Sequence, residues 1–485
     1  MSPPKPVDSA AQLSGSPSTI SKKLLPWLVA VAFLLEQLDT TILNTAVPAV
    51  AHALNVSVLS MKAVLASYTL ALAVFIPISG WMADRFGTRR VFASAIGIFT
   101  LGSLLCGLSS NIHFLVICRV LQGFGGAMMV PVGRLTLVRA FDKSDLIRTM
   151  SFVTIPALVG PMLGPIAGGL IVRYLHWRYI FFVNIPIGVA GLILVYLHLP
   201  DFREEKKRPL DLIGLILFGS GIALLSYVLE VFGEHTLSTA EIGGLLAISV
   251  ALIAAYGMHG THEPAPLLNL NLFRIRTFRT AAAGSFFTRL GIGGVPFLLP
   301  LLYQVGLGYT PVESGLLIVP QAIGSLGVKL IMLRLLNRIG YREVLISNTI
   351  IIGGLLILFA TIGLHTPVWV ILLLALCYGA FTSVQYTSMN TLVYADIPDD
   401  SASNANSIAS TVQQMSTSFG VAIAGLATAV FLPESAKANP PLFMHGIHDA
   451  FIALGAFTAL SSLIFSRLKS SDGESVSQHK VMHAA

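Results

Sequence analysis

Stretches of about 20 apolar residues, the length that carries a helix across a bilayer, recur along the chain. They fall at 24–50, 63–83, 91–109, 114–137, 149–172, 179–199, 212–231, 240–258, 279–303, 312–335, 343–363, 367–391, 404–432 and 448–466. Fourteen such spans predict an all-α integral membrane protein with both ends on one side. The polar breaks divide it into a disordered tail (1–21), a six-helix half (22–200), a two-helix insert (201–258), a loop (259–278), a second six-helix half (279–466) and a tail (467–485). The insert follows the charged break DFREEKKRPLD, Asp201 to Asp211. A repeat supports two related halves: Gly80-Trp-Met-Ala-Asp84-Arg85-Phe-Gly87-Thr-Arg89-Arg90 is echoed 253 residues later by Asn337-Arg338-Ile-Gly340-Tyr-Arg342.

The first span contains FLLEQLDTTILNTAVP, which sets Glu36 and Asp39 inside apolar sequence. A charge at mid-membrane costs about 2.5–3.5 kcal/mol on insertion scales, so an acid there reads first as functional. At 100° per residue Glu36, Asp39, Thr40 and Leu43 share a face, and the two acids can share a cavity or a proton. The alternative is one acid held in a structural ion pair with an arginine of a neighbouring helix. Arg119 in the fourth span is such a partner, on one face with Gln122, Gly123 and Gly126, where small residues admit a close helix. The fifth span carries Gly160, Pro161, Gly164, Pro165, Gly168 and Gly169, a pliable helix with a flat packing face. In the Gly80–Arg90 loop, Gly87 permits a tight turn, Asp84 can sit against a helix N-terminus, and Arg85, Arg89 and Arg90 anchor the loop at the membrane surface. That pattern reads as a gate latch, asymmetric because the second copy has Asn337 in place of Asp84. Cavity candidates are Gln122, Phe286, Arg289, Gln385, Asn390, Gln413 and Gln414, for which a plain interhelical contact is the alternative.

Composition agrees with the pattern: 54% hydrophobic and 11% charged residues, with a mean hydropathy of +0.79, exclude a soluble domain. The net charge of +7 raises the question of nucleic acid. Its placement answers it, since 22 of the 30 Lys and Arg fall on the side that holds both termini and 4 on the other, the bias of cytoplasmic segments. Trp27, Trp81, Trp177 and Trp369 fall near span ends, as an interfacial belt predicts. Cys106, Cys118 and Cys377 lie in apolar spans and read as core residues. No phosphate-binding loop or His-Glu-x-x-His motif occurs, so no enzyme, cofactor or metal site is expected. The pairs His259/His262 and His445/His448 read as solvated loop histidines.

Taken together, the Gly80–Arg90 loop, Arg119-x-x-Gln122-Gly123, the fifth-span Gly-Pro repeat, Leu38-Asp39-Thr40-Thr41 and His176-Trp177-Arg178-Tyr-Ile-Phe-Phe-Val-Asn184-Ile-Pro186-Ile-Gly188 resemble the major facilitator superfamily. Within it they resemble the fourteen-span drug:proton antiporter branch and its MdtD-type bacterial multidrug efflux members. The resemblance implies the major facilitator fold with two extra central helices, alternating access, and proton-coupled export of amphipathic cationic or neutral small molecules. It further implies a monomer in a bacterial inner membrane with both termini cytoplasmic, driven by the proton gradient alone. Asp39 would be the proton-coupling acid with Arg119 its partner, Asp84 and Arg85 the cytoplasmic latch, and the fifth-span glycines and prolines the exporter's motif. Glu36 stands where the resemblance leads one to expect a neutral residue. Arg119, Arg134, Arg289 and Lys329 within spans, against Glu36 and Asp39, keep open an exporter of an organic anion or metal chelate, such as citrate or a siderophore.

Overall fold

The structure is a computed structural model that describes residues 19–141, 149, 153, 160, 163–203, 209–231, 238–398, 401–431, 440–469 and 471–473. Among these the chain is a helical bundle without a strand. The first half begins with α1 (Thr19–Ala53), α2 (Met61–Phe86), α3 (Thr88–Leu108) and α4 (Ile112–Ala140). It continues with α5, helical over 163–174, and with α6 in two pieces, Tyr179–Phe182 and Asn184–His198. Next come α7 (Leu212–Val231) and α8 (Thr239–His262). The second half opens with α9 (Arg276–Ile292, carried on by Val295–Pro300 and a π-helical Leu301–Gly306) and α10 (Pro311–Gly327 and Lys329–Ile339). It closes with α11 (Tyr341–Phe359), α12 (Val368–Leu392), α13 (Ala402–Phe431) and α14 (Pro440–Phe465). Among the described residues, twelve helices are long and apolar enough to cross a membrane. The fifth and tenth complete the fourteen: α5 is described only in part, and α10 breaks at Val328 before a piece that carries Lys329, Arg334 and Arg338.

The repeat seen in the sequence recurs in the backbone. Gly87 between α2 and α3 has φ 93° and ψ 143°, and Gly340 between α10 and α11 has φ 86° and ψ 162°, a region open to glycine and strained for other residues. At both sites one residue reverses the chain. Beside Gly87, Asp201 Oδ1 accepts the Arg89 N–H at 3.2 Å, and Thr88 N–H donates to the Phe202 carbonyl at 3.0 Å. The start of α3 is thereby tied to the chain leaving α6.

The apolar cores show how the halves meet. One buried cluster draws on both halves, joining Ile42–Ala51, Met61–Leu65 and Trp177–Phe181 to Ile292–Tyr303, Phe359 and Phe451. At the other end, where the arginine-rich loops lie, there are two clusters: first-half residues between Leu25 and Phe202 form one, and residues of the insert and second half between Phe218 and Leu468 the other, with Leu70 of α2 packed at its edge. The halves are therefore fused at the end that holds Lys62 and separate at the basic end.

Several expectations change on this scaffold. Trp177 is 5% exposed, packed edge-on against Phe181 with the Arg178 guanidinium 5.2 Å from its ring. It plugs the fused core, whereas Trp27 and Trp369 remain exposed. His445 and His448 belong to α14, not to a loop, and His448 Nε2 lies 2.9 Å from the Ile362 carbonyl. The helix α8 runs to His262, so His259 sits in its last turn. The tail assigned to 1–21 falls outside the described residues except at 19–21, which are already helical, and of the tail at 467–485 only 467–469 and 471–473 are described.

His259 closes a clamp around Asp211. Asp211 Oδ1 takes the Gly214 N–H at 2.7 Å, capping α7, and lies 2.7 Å from His259 Nε2, while Oδ2 takes the Leu267 N–H at 3.0 Å. Burial pushes this carboxyl up, but the bonds from His259, Leu267 and Gly214 outweigh it and hold it below the ordinary carboxylate value. A depressed folded value stabilises the fold above the ordinary range, and that contribution is lost as the pH falls through the folded value. Asp211→Ala should destabilise the insert by about 2 kcal/mol through the lost cap and orphaned donors, read as faster hydrogen exchange in the first turn of α7. Unchanged exchange there would sink this account.

Candidate functional site

The first helix presents two faces to two neighbours. On one, Asp39 is 1% exposed and accepts three donors: Arg119 Nη1 at 2.6 Å on Oδ2, and Gln122 Nε2 and Asn184 Nδ2, both at 2.8 Å, on Oδ1. Arg119, also 1% exposed, donates to Gln122 Oε1 at 2.7 Å and to the Val64 carbonyl at 3.4 Å, and its guanidinium carbon lies 4.3 Å from the Tyr68 ring centre. Gln122 Nε2 also reaches Ser103 Oγ at 2.7 Å, so this fully buried side chain is committed to the network, a correction to its reading as a cavity residue. Four helices of the first half thus converge on one carboxylate. A buried ion pair is tolerable when every remaining lone pair and proton is engaged, as both Asp39 oxygens are here.

Glu36, one turn earlier, is treated differently. It is 6% exposed, its Oε2 is buried without a hydrogen-bond partner, and it does not join Arg119. The charged groups whose fields reach it are Arg134 of α4 and Asp39. Arg134 in turn holds its guanidinium 5.6 Å from the Phe33 ring.

The opposite face of α1 receives α5. A Cβ on Gly160 would stand 2.6 Å from Gln37 Cβ, and Cβ atoms on Gly164 and Gly168 would collide with the hydroxyls of Thr41 and Thr45. Those hydroxyls donate to the Gly160 and Pro165 carbonyls, each at 3.3 Å. Glycines and threonines both spaced by four let the two backbones touch. On its far side, α5 meets the start of α10: a Cβ on Gly169 would stand 2.6 Å from the Pro311 carbonyl. Pro161 lies outside the described residues.

In the loop between α2 and α3, Asp84 Oδ1 bonds Arg139 Nη2 of α4 at 2.7 Å. Arg85 and Arg90 are exposed, Arg89 is half-buried, and a Cβ on Gly87 would collide with the Asp201 carboxylate. Around Gly80 there is open space.

In the second half, Arg289 is 3% exposed, with Nε 3.0 Å from Ser285 Oγ, Nη2 3.3 Å from Asn390 Oδ1 and its guanidinium carbon 3.9 Å from the Tyr386 ring centre. No acid among the described residues pairs with it. Gln385 is fully buried, accepting from Asn348 Nδ2 at 2.8 Å and donating to Thr349 Oγ1 at 2.8 Å. It is committed to the contact between α11 and α12, a correction to its reading as a cavity residue. Phe286 packs edge-on against Phe287 and Phe419, and Gln413 and Gln414 are half-buried on α13. Sequence reasoning left Asn184, Ser103 and Tyr68 without roles. Asn184 had a signal, as the one amide in the run Ile180–Leu197, whereas Ser103 and Tyr68 had none.

This geometry is matched by what the chain resembles. The sequence model described as Major Facilitator Superfamily matches residues 29–421. The chain belongs to the Major Facilitator Superfamily. A relative of Serratia proteamaculans (strain 568), which carries the multidrug resistance name MdtD, is 41% identical over 91% of this chain and 92% of its own length. A relative of Escherichia coli (strain K12) with the same name is 40% identical over 93% and 95%. Among solved structures, a D-xylose-proton symporter superposes with a TM-score of 0.66 over 93% of this chain and 99% of its own at 15% identity. A bacterial homologue of the human lysosomal transporter Spinster, in an inward-facing and occupied conformation, gives 0.66 over 93% and 97% at 14% identity. At such identities the likeness speaks for the fold. The chain is thus a multi-pass membrane transporter of this superfamily.

Two measurements probe the site's construction. Arg119→Gln should destabilise the protein by about 3 kcal/mol or more because Asp39 is left as a buried unpaired charge. The double variant Asp39→Asn/Arg119→Gln should recover most of it, and additive losses in the cycle would count against the pair. On the other face, Gly164→Ala should cost about 1–3 kcal/mol by overpacking, with partial recovery in Gly164→Ala/Thr41→Ala. A thermal midpoint unmoved by Gly164→Ala would refute the close approach of α5.

Proposed function

We propose that this transporter is a drug:proton antiporter of a bacterial inner membrane. It would export amphipathic cationic or neutral small molecules as a monomer, with the proton gradient as its energy source and no cofactor. The observation that carries the reading is the pair of buried acids on α1, one saturated and one open. Asp39 already accepts three donors, so protonating it breaks a network, and it serves as the fixed anion that balances Arg119. Glu36 Oε2 has no donor to lose, so a proton can come and go there at the expense of no hydrogen bond. Arg119 and Asn184 position Asp39. Rearrangement of α1 against α4 would alter the field of Arg134 and Asp39 on Glu36, which couples proton transfer to the change of access.

The helix packing supports alternating access. The α1–α5 and α5–α10 contacts run through backbone and small residues, surfaces that slide without repacking large side chains. With the basic end in the cytoplasm, the separated cores make that end the open one, and Asp84 on Arg139 is the latch in its open setting.

Entry of one proton across about 100 mV and one pH unit releases about 3.7 kcal/mol, enough for a roughly 500-fold gradient of a neutral substrate. Exchange of one proton for one monovalent cation moves no net charge and draws only on the pH term, about tenfold per unit. A cation's export should therefore be indifferent to a potassium-valinomycin clamp that weakens export of a neutral substrate.

Arg289, a buried cation with which no acid pairs among the described residues, favours the second reading, an organic anion or metal chelate as cargo. Proteoliposomes with an imposed pH gradient, loaded with a cationic dye or a tricarboxylate, decide between them. We expect uphill dye transport, unimpaired by Arg289→Ala, and Glu36→Gln should lose the pH drive while retaining downhill flux. Tricarboxylate transport abolished by Arg289→Ala would establish the second reading instead. Full uphill dye transport by Glu36→Gln would remove Glu36 from coupling.

A further inference from the structure

The helices α2 and α13 run antiparallel and touch along part of their length. Near the fused end a Cβ on Gly425 would stand 2.6 Å from Lys62 Cδ, and nearer the middle Ser418 Oγ donates to the Ala66 carbonyl at 3.0 Å. Carried on at the same pairing, this register sets Gly80 against residues 404–407 and Asp84 against the first turn of α13. A Cβ on Gly80 would meet nothing within 4 Å. Gly80 and Asp84 line one side, and Asn404 and Ser407 the other, of a cavity of about 280 Å³.

The third wall comes from the insert and the connection that follows it, through Leu210, Asp211 and Leu267. The Asp211 clamp holds this wall rigid, since one carboxylate ties together the start of α7, the end of α8 and Leu267. The cavity is therefore bounded by two helices that can approach each other and a wall fixed beside them.

Its chemistry is selective. Pro77, Pro209, Pro264 and Pro266 line it together with Trp81, a surface without proline N–H donors and with one indole. The open polar capacity lies at the other side. Asp84 uses Oδ1 for Arg139 and leaves Oδ2 without a bond, and the side chains of Asn404 and Ser407 make no hydrogen bond among the described residues. Arg85 also lines the cavity, but it is exposed and screened by solvent, whereas the Asp84 side chain is 33% exposed and acts through a lower local dielectric. An indole, four prolines and one half-covered carboxylate in the lining suit a flat cation. The volume, near the lower bound for ligand pockets, limits it to one or two fused rings.

We propose that this cavity is a second binding site, for a small aromatic cation, and that its occupant wedges α2 and α13 apart and holds the basic end open. Binding stands on the cavity alone; the effect on turnover rests on the transport reading. A cation that is also cargo would inhibit its own export at high concentration through this site.

The probe is 1-naphthylmethylammonium, with 1-naphthylmethanol as its neutral counterpart, titrated calorimetrically into the purified full-length protein. The cation should bind about tenfold more tightly than the alcohol, and Asp84→Asn should erase that preference. Ser407→Phe, which fills the cavity, and Trp81→Leu, which removes the aromatic wall, should each weaken binding about tenfold or more. The second variant covers a failure of the first to fold. In proteoliposomes the probe should lower the maximal rate of dye transport without raising its KM. No binding of the probe, equal binding of cation and alcohol to the unaltered protein, or undiminished binding to the folded variants would overturn the site. Binding lost in the variants alongside preparations that transport nothing would leave the site standing and sink the transport reading.

Discussion

A carboxylate in the middle of an apolar bundle has to be neutralised and hydrogen-bonded, and the first half of this protein is arranged around meeting that demand at Asp39. Arg119 and Gln122 come from α4, Asn184 from α6 and Ser103 from α3. Each donor reaches Asp39, or a residue bonded to it, only if its helix stands at the right height and rotation. Because an unsatisfied member would cost more than an apolar substitute, the network acts as a registration device for four helices. One turn away, Glu36 keeps a buried oxygen outside that network.

The second constraint is that one end of the bundle is shared and the other is not. At the Lys62 end both halves contribute to one apolar core, with Trp177 buried as part of it. At the basic end the halves keep separate cores. Packed cores resist continuous deformation, so halves with distinct cores can shift only as whole bodies. The contacts between α1, α5 and α10 suit this, since glycine and threonine backbones touch there in place of interlocked side chains. The insert adds an asymmetry of its own: clamped by Asp211 and His259, it stands beside the gap between α2 and α13 and gives that gap a third wall.

Much of this was legible in the sequence, because a bilayer leaves the chain few choices. Backbone polar groups have to be satisfied within each pass, so apolar length alone called for fourteen helices. Arg119 as the partner of Asp39 could be anticipated because few cations sit inside spans. Gly87 and Gly340 announced matching one-residue turns because only glycine enters that backbone region without strain.

What the sequence by itself could not determine was how polar residues divide between the bundle interior and contacts among helices. Spacing places Gln385 on a helix face but does not say that Asn348 and Thr349 wait on the neighbouring helix. It pairs Glu36 and Asp39 on one face but does not say that one is saturated and the other bare. It offers Asp84 to any helix terminus, and tertiary packing assigns it to Arg139. Helical periodicity is a local property of the chain, set by the backbone and the lipid. Hydrogen-bond saturation is a property of four or five helices at once, decided only when their relative rotation brings donors within about 3 Å of one acceptor.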